Sequence, residues 1–173
     1  MSVLQVKAED GQLDTVLAFL GAQLEGVCCP RKTGMQVAIA AEELFINIAH
    51  YAYGAAEGEV TLRLAPFFDE SADRCGVAIT FEDSGMPYNP LKKADPDISL
   101  CADQREIGGL GIYIVKKSMD EVEYEYQDGR NRMTIRKYWE VQKNTGTEEK
   151  FKKFCNEITN PASNRCDKGV IGL

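Results

Sequence analysis

Two polar residues within an apolar, helix-patterned segment offer acid–base and metal-binding chemistry. Glu43 and Asn47 are four residues apart in the segment from about Lys32 to Tyr51, so they lie on one helical face, one turn apart. A carboxylate accepts a proton or orients water, and the side-chain oxygen of an asparagine is a hard ligand that suits Mg²⁺. An exposed polar stripe has the same spacing, so the pair alone leaves both interpretations open.

A second polar group follows a predicted strand, in the segment Asp83-Ser84-Gly85-Met86-Pro87. An ionised aspartate only accepts hydrogen bonds, so Asp83 can receive the exocyclic amine of an adenine. Gly85 would let the ring come close to the backbone. Asp, Ser, Gly and Pro are also common turn residues, so an ordinary turn is the alternative.

A glycine loop precedes the third predicted helix. Gly108, Gly109 and Gly111 surround Leu110 just before an apolar run. A helix N-terminus presents unpaired N–H groups that attract phosphate, so the loop is either a phosphate-binding loop or a hinge. It is not a Walker A motif, because the Lys-Lys-Ser run that follows is preceded by Val115 rather than glycine, and it lacks the third glycine of the dinucleotide-binding fingerprint.

Hydrophobic periodicity predicts the elements that must position these groups. Helices are expected over residues 13–24, 32–51 and 110–119, and strands over 2–8, 59–66, 75–82, 121–127 and 132–139. Residues 67–74 are expected to form a polar hairpin turn, and Asp128-Gly129 a tight one. Strands in hairpins with helices in a separate group predict an α+β two-layer sandwich, with helices on one face of a mostly antiparallel sheet.

The composition excludes some classes of function. The 173 residues are 44% hydrophobic and 27% charged, which is typical of a globular domain. The formal net charge of −7 argues against nucleic acid as the main partner, because phosphate neutralisation needs clustered Lys and Arg. It leaves room for a basic protein partner. No signal peptide or membrane-spanning run is visible, and the six cysteines form no C-x-x-C pair, so we expect reduced thiols in a cytoplasmic protein.

Taken together, the three groups resemble the nucleotide-binding motifs of the Bergerat-fold ATPases, the superfamily of gyrase, heat-shock chaperones, histidine kinases and mismatch-repair proteins. Residues 41–50 (AEELFINIAH) resemble the N box, residues 82–87 (EDSGMP) the G1 box and residues 108–111 (GGLG) the G2 box. The short single-domain form and residues 111–124 are most similar to bacterial anti-sigma-factor serine/threonine kinases (RsbW-like). The resemblance implies helices on one face of a mostly antiparallel mixed sheet, with an ATP lid over about residues 87–107.

The resemblance also implies a role for each residue. Glu43 would be the general base toward a Ser or Thr hydroxyl of a substrate protein, or toward water, and Asn47 would bind Mg²⁺. Asp83 would hold the adenine amine of ATP, with Gly85 beside the ring.

Further roles follow from the same resemblance. The glycine loop of residues 108–111 would wrap the phosphates, and Arg105 would reach the γ-phosphate and stabilise the transferring charge. Thr134 corresponds to a family threonine near the adenine. His50, the only histidine, is expected to have a structural role.

The resemblance leaves two functions open. The first is an ATP-dependent serine/threonine protein kinase that phosphorylates a small antagonist protein and so controls release or capture of a sigma factor. The second is a module that binds ATP and sequesters a protein partner without phosphorylating it. A detached histidine-kinase ATPase domain is disfavoured, since no phospho-accepting histidine helix is seen upstream. Homodimerisation is expected. Residues 1–139 are expected to form the ATP-binding domain, and 140–173 a polar tail containing a short helix over residues 148–158.

Overall fold

Five strands form a single sheet in the computed structural model, which describes residues 1–69, 71–96, 109–140, 151 and 153. The strands are β1 (Ser2–Lys7), β2 (Glu59–Asp69), β3 (Arg74–Asp83), β4 (Glu121–Gln127) and β5 (Arg130–Glu140). They lie in the order β1-β2-β3-β5-β4, and every neighbouring pair is antiparallel. The described part of the sheet therefore contains no parallel pairing, although the resemblance implied a mixed sheet.

Three helices pack with the sheet: α1 (Leu13–Gly26), α2 (Arg31–Tyr51) and α3 (Leu110–Ser118). The second of these contacts both of the others. Alternate residues of β2, β3 and β5 are buried, and so are residues from the apolar side of each helix. This core includes Leu62, Ile79, Phe81, Ile135, Val16, Val37, Phe45 and Val115. The predicted α+β sandwich is confirmed, with the helices on one face of an antiparallel sheet.

The hairpin between β2 and β3 is longer than the sequence predicts. The expected turn over residues 67–74 is wrong, because β2 continues to Asp69 and β3 begins at Arg74. The predicted strand ended at Pro66, and proline cannot donate a hydrogen bond to a neighbouring strand. The pairing with β1 ends at Leu64, so beyond that residue β2 has a described neighbour only on its β3 side. Proline is tolerated at such an open edge.

The other predicted hairpin is confirmed at its turn. Asp128 and Gly129 have φ angles of 54° and 77°, the left-handed pair that a two-residue hairpin turn requires. The long-helix prediction is also confirmed to within one residue, since α2 begins at Arg31. None of the helices in the described ranges has the length and apolar character needed to cross a membrane.

One residue of the predicted tail belongs to the core. Phe151 is 2% exposed, and its ring packs edge-on against Trp139 of β5 with 5.7 Å between the ring centroids. Phe151 and Lys153 are helical, within the short helix expected over residues 148–158. The rest of that predicted helix lies outside the described residues. The hydrophobic core therefore extends beyond the domain boundary expected at residue 139.

Candidate functional site

A cleft of about 700 Å³ lies between α2, the start of α3 and the chain after β3. This volume is in the range of sites that bind small molecules. A narrower recess adjoins it and reaches the ends of β3 and β5. Both cavities are lined by Asn47, Met86 and Tyr88, so they form one continuous site.

Helix α2 supplies one wall of the cleft. Glu43, Asn47 and His50 recur at helical spacing and all line the cleft. The side-chain nitrogen Nδ2 of Asn47 donates to the main-chain carbonyl oxygen of Glu43 at 2.6 Å. That bond fixes the amide group and leaves its oxygen, the atom that binds hard cations, outside this contact. The predicted pair therefore faces a cavity rather than forming a surface stripe.

Glu43 sits in a partly dry environment. Burial, and to a smaller extent the negative charge of Glu42, raises the pKa of the Glu43 carboxyl. A raised pKa suits a group that must accept a proton during a reaction and release it afterwards. The neighbouring Glu42 is exposed, as expected for the other side of the helix.

The start of α3 closes the opposite wall. Gly109 has a φ of 98° and immediately precedes the helix, a backbone conformation that disfavours side chains. A Cβ atom on Gly111 would collide with Oε2 of Glu43. Leu110, 47% exposed, also lines the cleft. Of the other predicted phosphate contacts, Gly108 and Arg105 lie outside the described residues.

A substitution at Gly111 tests this close approach. We expect Gly111→Ala to retain the fold, because the colliding atom is the far end of a flexible side chain and alanine favours the helix by about 1 kcal/mol. Glu43 must then leave its position, so activity that depends on it should fall at least about tenfold. Thermal unfolding, and an assay of the phosphotransfer that the resemblance implies, measure the two effects on the same preparation. Full activity at unchanged stability would contradict the expectation.

Asp83 lies at the end of β3 and lines the recess. It is 6% exposed, and its Oδ1 accepts hydrogen bonds from the main-chain N–H of Gly85 at 2.9 Å and from Nδ2 of Asn131 at 2.8 Å. Gly85 itself packs against α2: a Cβ atom there would collide with the carbonyl oxygen of Ala52. The same oxygen accepts a bond from the N–H of Met86 at 2.8 Å. This close packing is a structural reason for glycine at position 85, in addition to any contact with a ligand.

Asn131 is the site residue that the sequence reasoning missed. It faces Asp83 directly in the β3–β5 register and is 6% exposed. A signal was present, because Asn131 has the same strand parity as the apolar residues Met133 and Ile135, which are buried. A polar residue in an inward position needs partners.

Thr134 does not reach the site, which corrects the role implied by the resemblance. It lies between Met133 and Ile135, so strand alternation turns it to the opposite face of the sheet. There its hydroxyl is 2.8 Å from that of Thr80. Thr134 lines neither cavity, and Asn131 and Met133 are the β5 residues at the recess.

The opposite face of the sheet ties the strand ends together. Glu82, 6% exposed, accepts bonds from Nε of Arg132 at 2.8 Å and from Nη1 of Arg130. Burial is the largest influence on its pKa and raises it, but the bonds and charges of the two arginines together lower the pKa below its ordinary value. These ion pairs hold the end of β3 to the start of β5, which carry Asp83 and Asn131.

A hydrogen bond and an ion pair lie at the cleft rim. Nε2 of His50 is 2.8 Å from Oδ1 of Asp10. This hydrogen-bonded contact is consistent with the structural role expected for His50. Nζ of Lys116 is 2.7 Å from Oδ1 of Asp95, which joins α3 to the chain after β3. The part of the expected lid that the structure describes, up to residue 96, thus contacts α3.

The site fits a magnesium ion only in combination with ligand oxygens. No group of three or more His, Cys, Asp or Glu residues that could hold a metal occurs among the described residues. Magnesium is commonly held by one or two protein oxygens plus substrate phosphates and water. The side-chain oxygen of Asn47, which lines the cleft, is an oxygen of the kind that magnesium accepts.

The sequence comparison agrees with this geometry. The family model of the histidine kinase-like ATPase domain matches residues 6–137. The match covers more than half of the 173 residues, so the chain belongs to this family. Membership implies that it binds ATP. No curated protein is recognisably similar to the chain.

Proposed function

We propose that the chain is an ATP-dependent serine/threonine protein kinase of the anti-sigma-factor type, which phosphorylates a small antagonist protein and regulates transcription by partner switching. The observation that best supports kinase activity is the position of Glu43. Its carboxyl has a raised pKa, lies against the backbone of Gly111 and lines the same cleft as Asn47. This arrangement suits proton acceptance beside a bound triphosphate.

The proposed reaction uses these positions as follows. The Glu43 carboxylate takes the proton of an acceptor Ser or Thr hydroxyl while that oxygen forms a bond to the γ-phosphorus of ATP. The bond between this phosphorus and the β–γ bridging oxygen breaks, and ADP leaves with its electron pair. Asn47 would supply one oxygen ligand to a magnesium ion, which supplies charge neutralisation on the phosphates. The glycine loop and Arg105 would contact the phosphates.

The adenine would occupy the recess. Asp83 accepts hydrogen bonds and lines this space, which suits the exocyclic amine of adenine. Apolar neighbours such as Ile48 and Met133 also line it and provide surface for a planar ring.

A second candidate function is a binding module that holds ATP and a protein partner without transferring phosphate. The net charge of −7 suits the capture of a basic partner, and capture requires no catalytic base.

Incubation with Mg-ATP and candidate antagonist proteins separates the two. The kinase predicts stable phosphate on a Ser or Thr of one antagonist, together with stoichiometric ADP. The module predicts a complex with the partner and no transfer. Phosphate that appears on no protein, with a partner bound tightly in the presence of ATP, would replace the first proposal by the second.

The adenine assignment has its own test in Asp83→Asn. The amide presents donors where the carboxylate only accepts, so we expect ATP affinity to fall on the order of tenfold or more. Isothermal titration calorimetry with ATP measures the change, and circular dichroism checks the fold. ATP affinity equal to that of the unsubstituted chain would show that Asp83 does not hold the base.

A further inference from the structure

The side-chain amide of Asn131 makes its full set of four hydrogen bonds. Nδ2 donates to Oδ1 of Asp83 at 2.8 Å and to the main-chain oxygen of Met86 at 3.1 Å. Oδ1 accepts from the hydroxyl of Tyr124 at 2.7 Å and from the main-chain N–H of Tyr88 at 3.2 Å. An amide has two donors and two acceptor positions, so no capacity is left for a ligand.

These partners allow only one orientation of the amide. A main-chain carbonyl oxygen cannot donate and a main-chain N–H cannot accept. Met86 and Tyr88 therefore fix which end of the Asn131 amide faces Asp83. Burial, the largest influence, and the charge of Asp83 raise the pKa of Tyr124, so its hydroxyl stays protonated near neutral pH. Asn131 is consequently held with its nitrogen toward the Asp83 carboxylate.

The same contacts leave one oxygen of Asp83 for a ligand. Oδ1 receives both the Gly85 N–H and the Asn131 amide. Oδ2 has no hydrogen-bond partner among the described residues. Every fully buried side-chain oxygen in those ranges has a partner, so Oδ2 is not fully buried and reaches solvent. Since Asp83 is 6% exposed and lines the recess, Oδ2 faces that recess.

We propose that Asn131 is a positioning residue for base recognition: it holds the Asp83 carboxylate so that Oδ2 meets the exocyclic amine of adenine. This inference rests on the proposed ATP site. It adds Asn131 as the residue that orients Asp83, the group that would distinguish adenine from other bases. Asn131 acts through Asp83 and does not contact the base itself. It also ties the chain at Met86 and Tyr88 to β5, so the same amide positions the backbone beside the recess.

Comparison of ATP with inosine triphosphate tests the proposal. Inosine carries a carbonyl oxygen in place of the adenine amine and an N–H at N1 in place of an acceptor nitrogen. The ratio of the affinity for ATP to that for inosine triphosphate therefore reports on recognition of the base edge that Asp83 would face. Asn131→Asp keeps the size and the acceptor oxygen but removes the donor to Asp83. We expect this ratio to fall on the order of tenfold at pH 8, with a smaller change in affinity for inosine triphosphate.

The pH dependence separates positioning from a general structural effect. A carboxyl beside a carboxylate binds a proton more readily, and once protonated, the carboxyl introduced by Asn131→Asp can again donate to Asp83. The ratio should therefore recover as pH falls from 8 toward 5. Asn89→Asp is the matched control, since Asn89 caps the short turn after β3 through its Oδ1, which accepts from the N–H of Leu91. Aspartate retains this cap, so the ratio should be unchanged.

A neutral variant covers the case in which the new carboxylate prevents folding. Asn131→Ala removes the donor without adding charge, and fluorescence of Trp139, the only tryptophan, reports whether the core forms. It should lose discrimination at every pH. Equal losses for both nucleotides, or an unchanged ratio in folded Asn131 variants, would overturn the proposal. If the unsubstituted chain bound neither nucleotide, the proposed function would fail, and this inference with it.

Discussion

Glu43→Gln is expected to lower phosphotransfer to the acceptor protein by about 100-fold or more, while ATP binding persists. Glutamine has nearly the same size as glutamate and fits the same space beside Gly111, so the walls of the cleft are preserved. It cannot accept a proton near neutral pH, and the acceptor hydroxyl then lacks a base. Single-turnover phosphotransfer and ATP calorimetry on the same preparation measure the two quantities separately.

Glu42→Gln is the matched control, because it makes the same chemical change at the adjacent, exposed position. It should retain phosphotransfer and shift its pH dependence. The charge of Glu42 contributes to the raised pKa of Glu43, after burial. Removing that charge lowers the Glu43 pKa, so the ionised base forms at a lower pH. The acidic limb of the pH–rate profile should therefore move to lower pH.

Two results would contradict this role of Glu43. One is phosphotransfer by Glu43→Gln at the rate of the unsubstituted chain, which would require another base. The other is loss of ATP binding together with transfer, which would make Glu43 a residue for nucleotide binding and not for the chemical step.

Gly85→Ala is expected to lower the free energy of unfolding by about 1–3 kcal/mol, the usual cost of overpacking. The added Cβ would collide with the carbonyl oxygen of Ala52, a main-chain atom at the end of α2 that cannot move as a side chain does. The displacement would also strain the hydrogen bond from the Met86 N–H to the same oxygen. Urea unfolding measures the change, and ATP affinity should fall because Asp83 is two residues away.

Gly34→Ala provides the control with the opposite sign. Gly34 lies within α2, and a Cβ there would have no neighbour within 4 Å. Alanine should stabilise the chain by about 0.5–1 kcal/mol through helix propensity. A Gly85→Ala protein as stable as the Gly34→Ala protein would show that the turn after β3 adapts without cost.

The local part of the site was predictable from sequence. The spacing of Glu43 and Asn47 defines a helical face, and Asp128-Gly129 defines a hairpin, because both patterns depend on neighbours within four residues. The α+β arrangement followed from the order of the elements. The position of Glu43 against Gly111 required the packing of α2 on α3, which periodicity does not specify.

The errors came from strand parity and from long-range pairing. Thr134 was assigned to the site through resemblance, although its two buried neighbours place it on the other face. Asn131 shares the parity of those neighbours, but its four partners lie on β4 and on the stretch from the end of β3 to Tyr88. The pairing of β5 with both β3 and β4 is needed to bring them together. Pro66 within β2 is acceptable because the pairing with β1 stops at Leu64, a condition that is visible only in the assembled sheet.

The contact between Trp139 and Phe151 shows that the end of the family match and the end of the packed core fall at different residues. The family match ends at residue 137, whereas the aromatic pair that seals this end of the core needs residue 151. The unit that the family match recognises is therefore shorter than the part of the chain that contributes to the hydrophobic core. A fragment cut at the homology limit would present an uncovered apolar edge to solvent, and with it a surface prone to association.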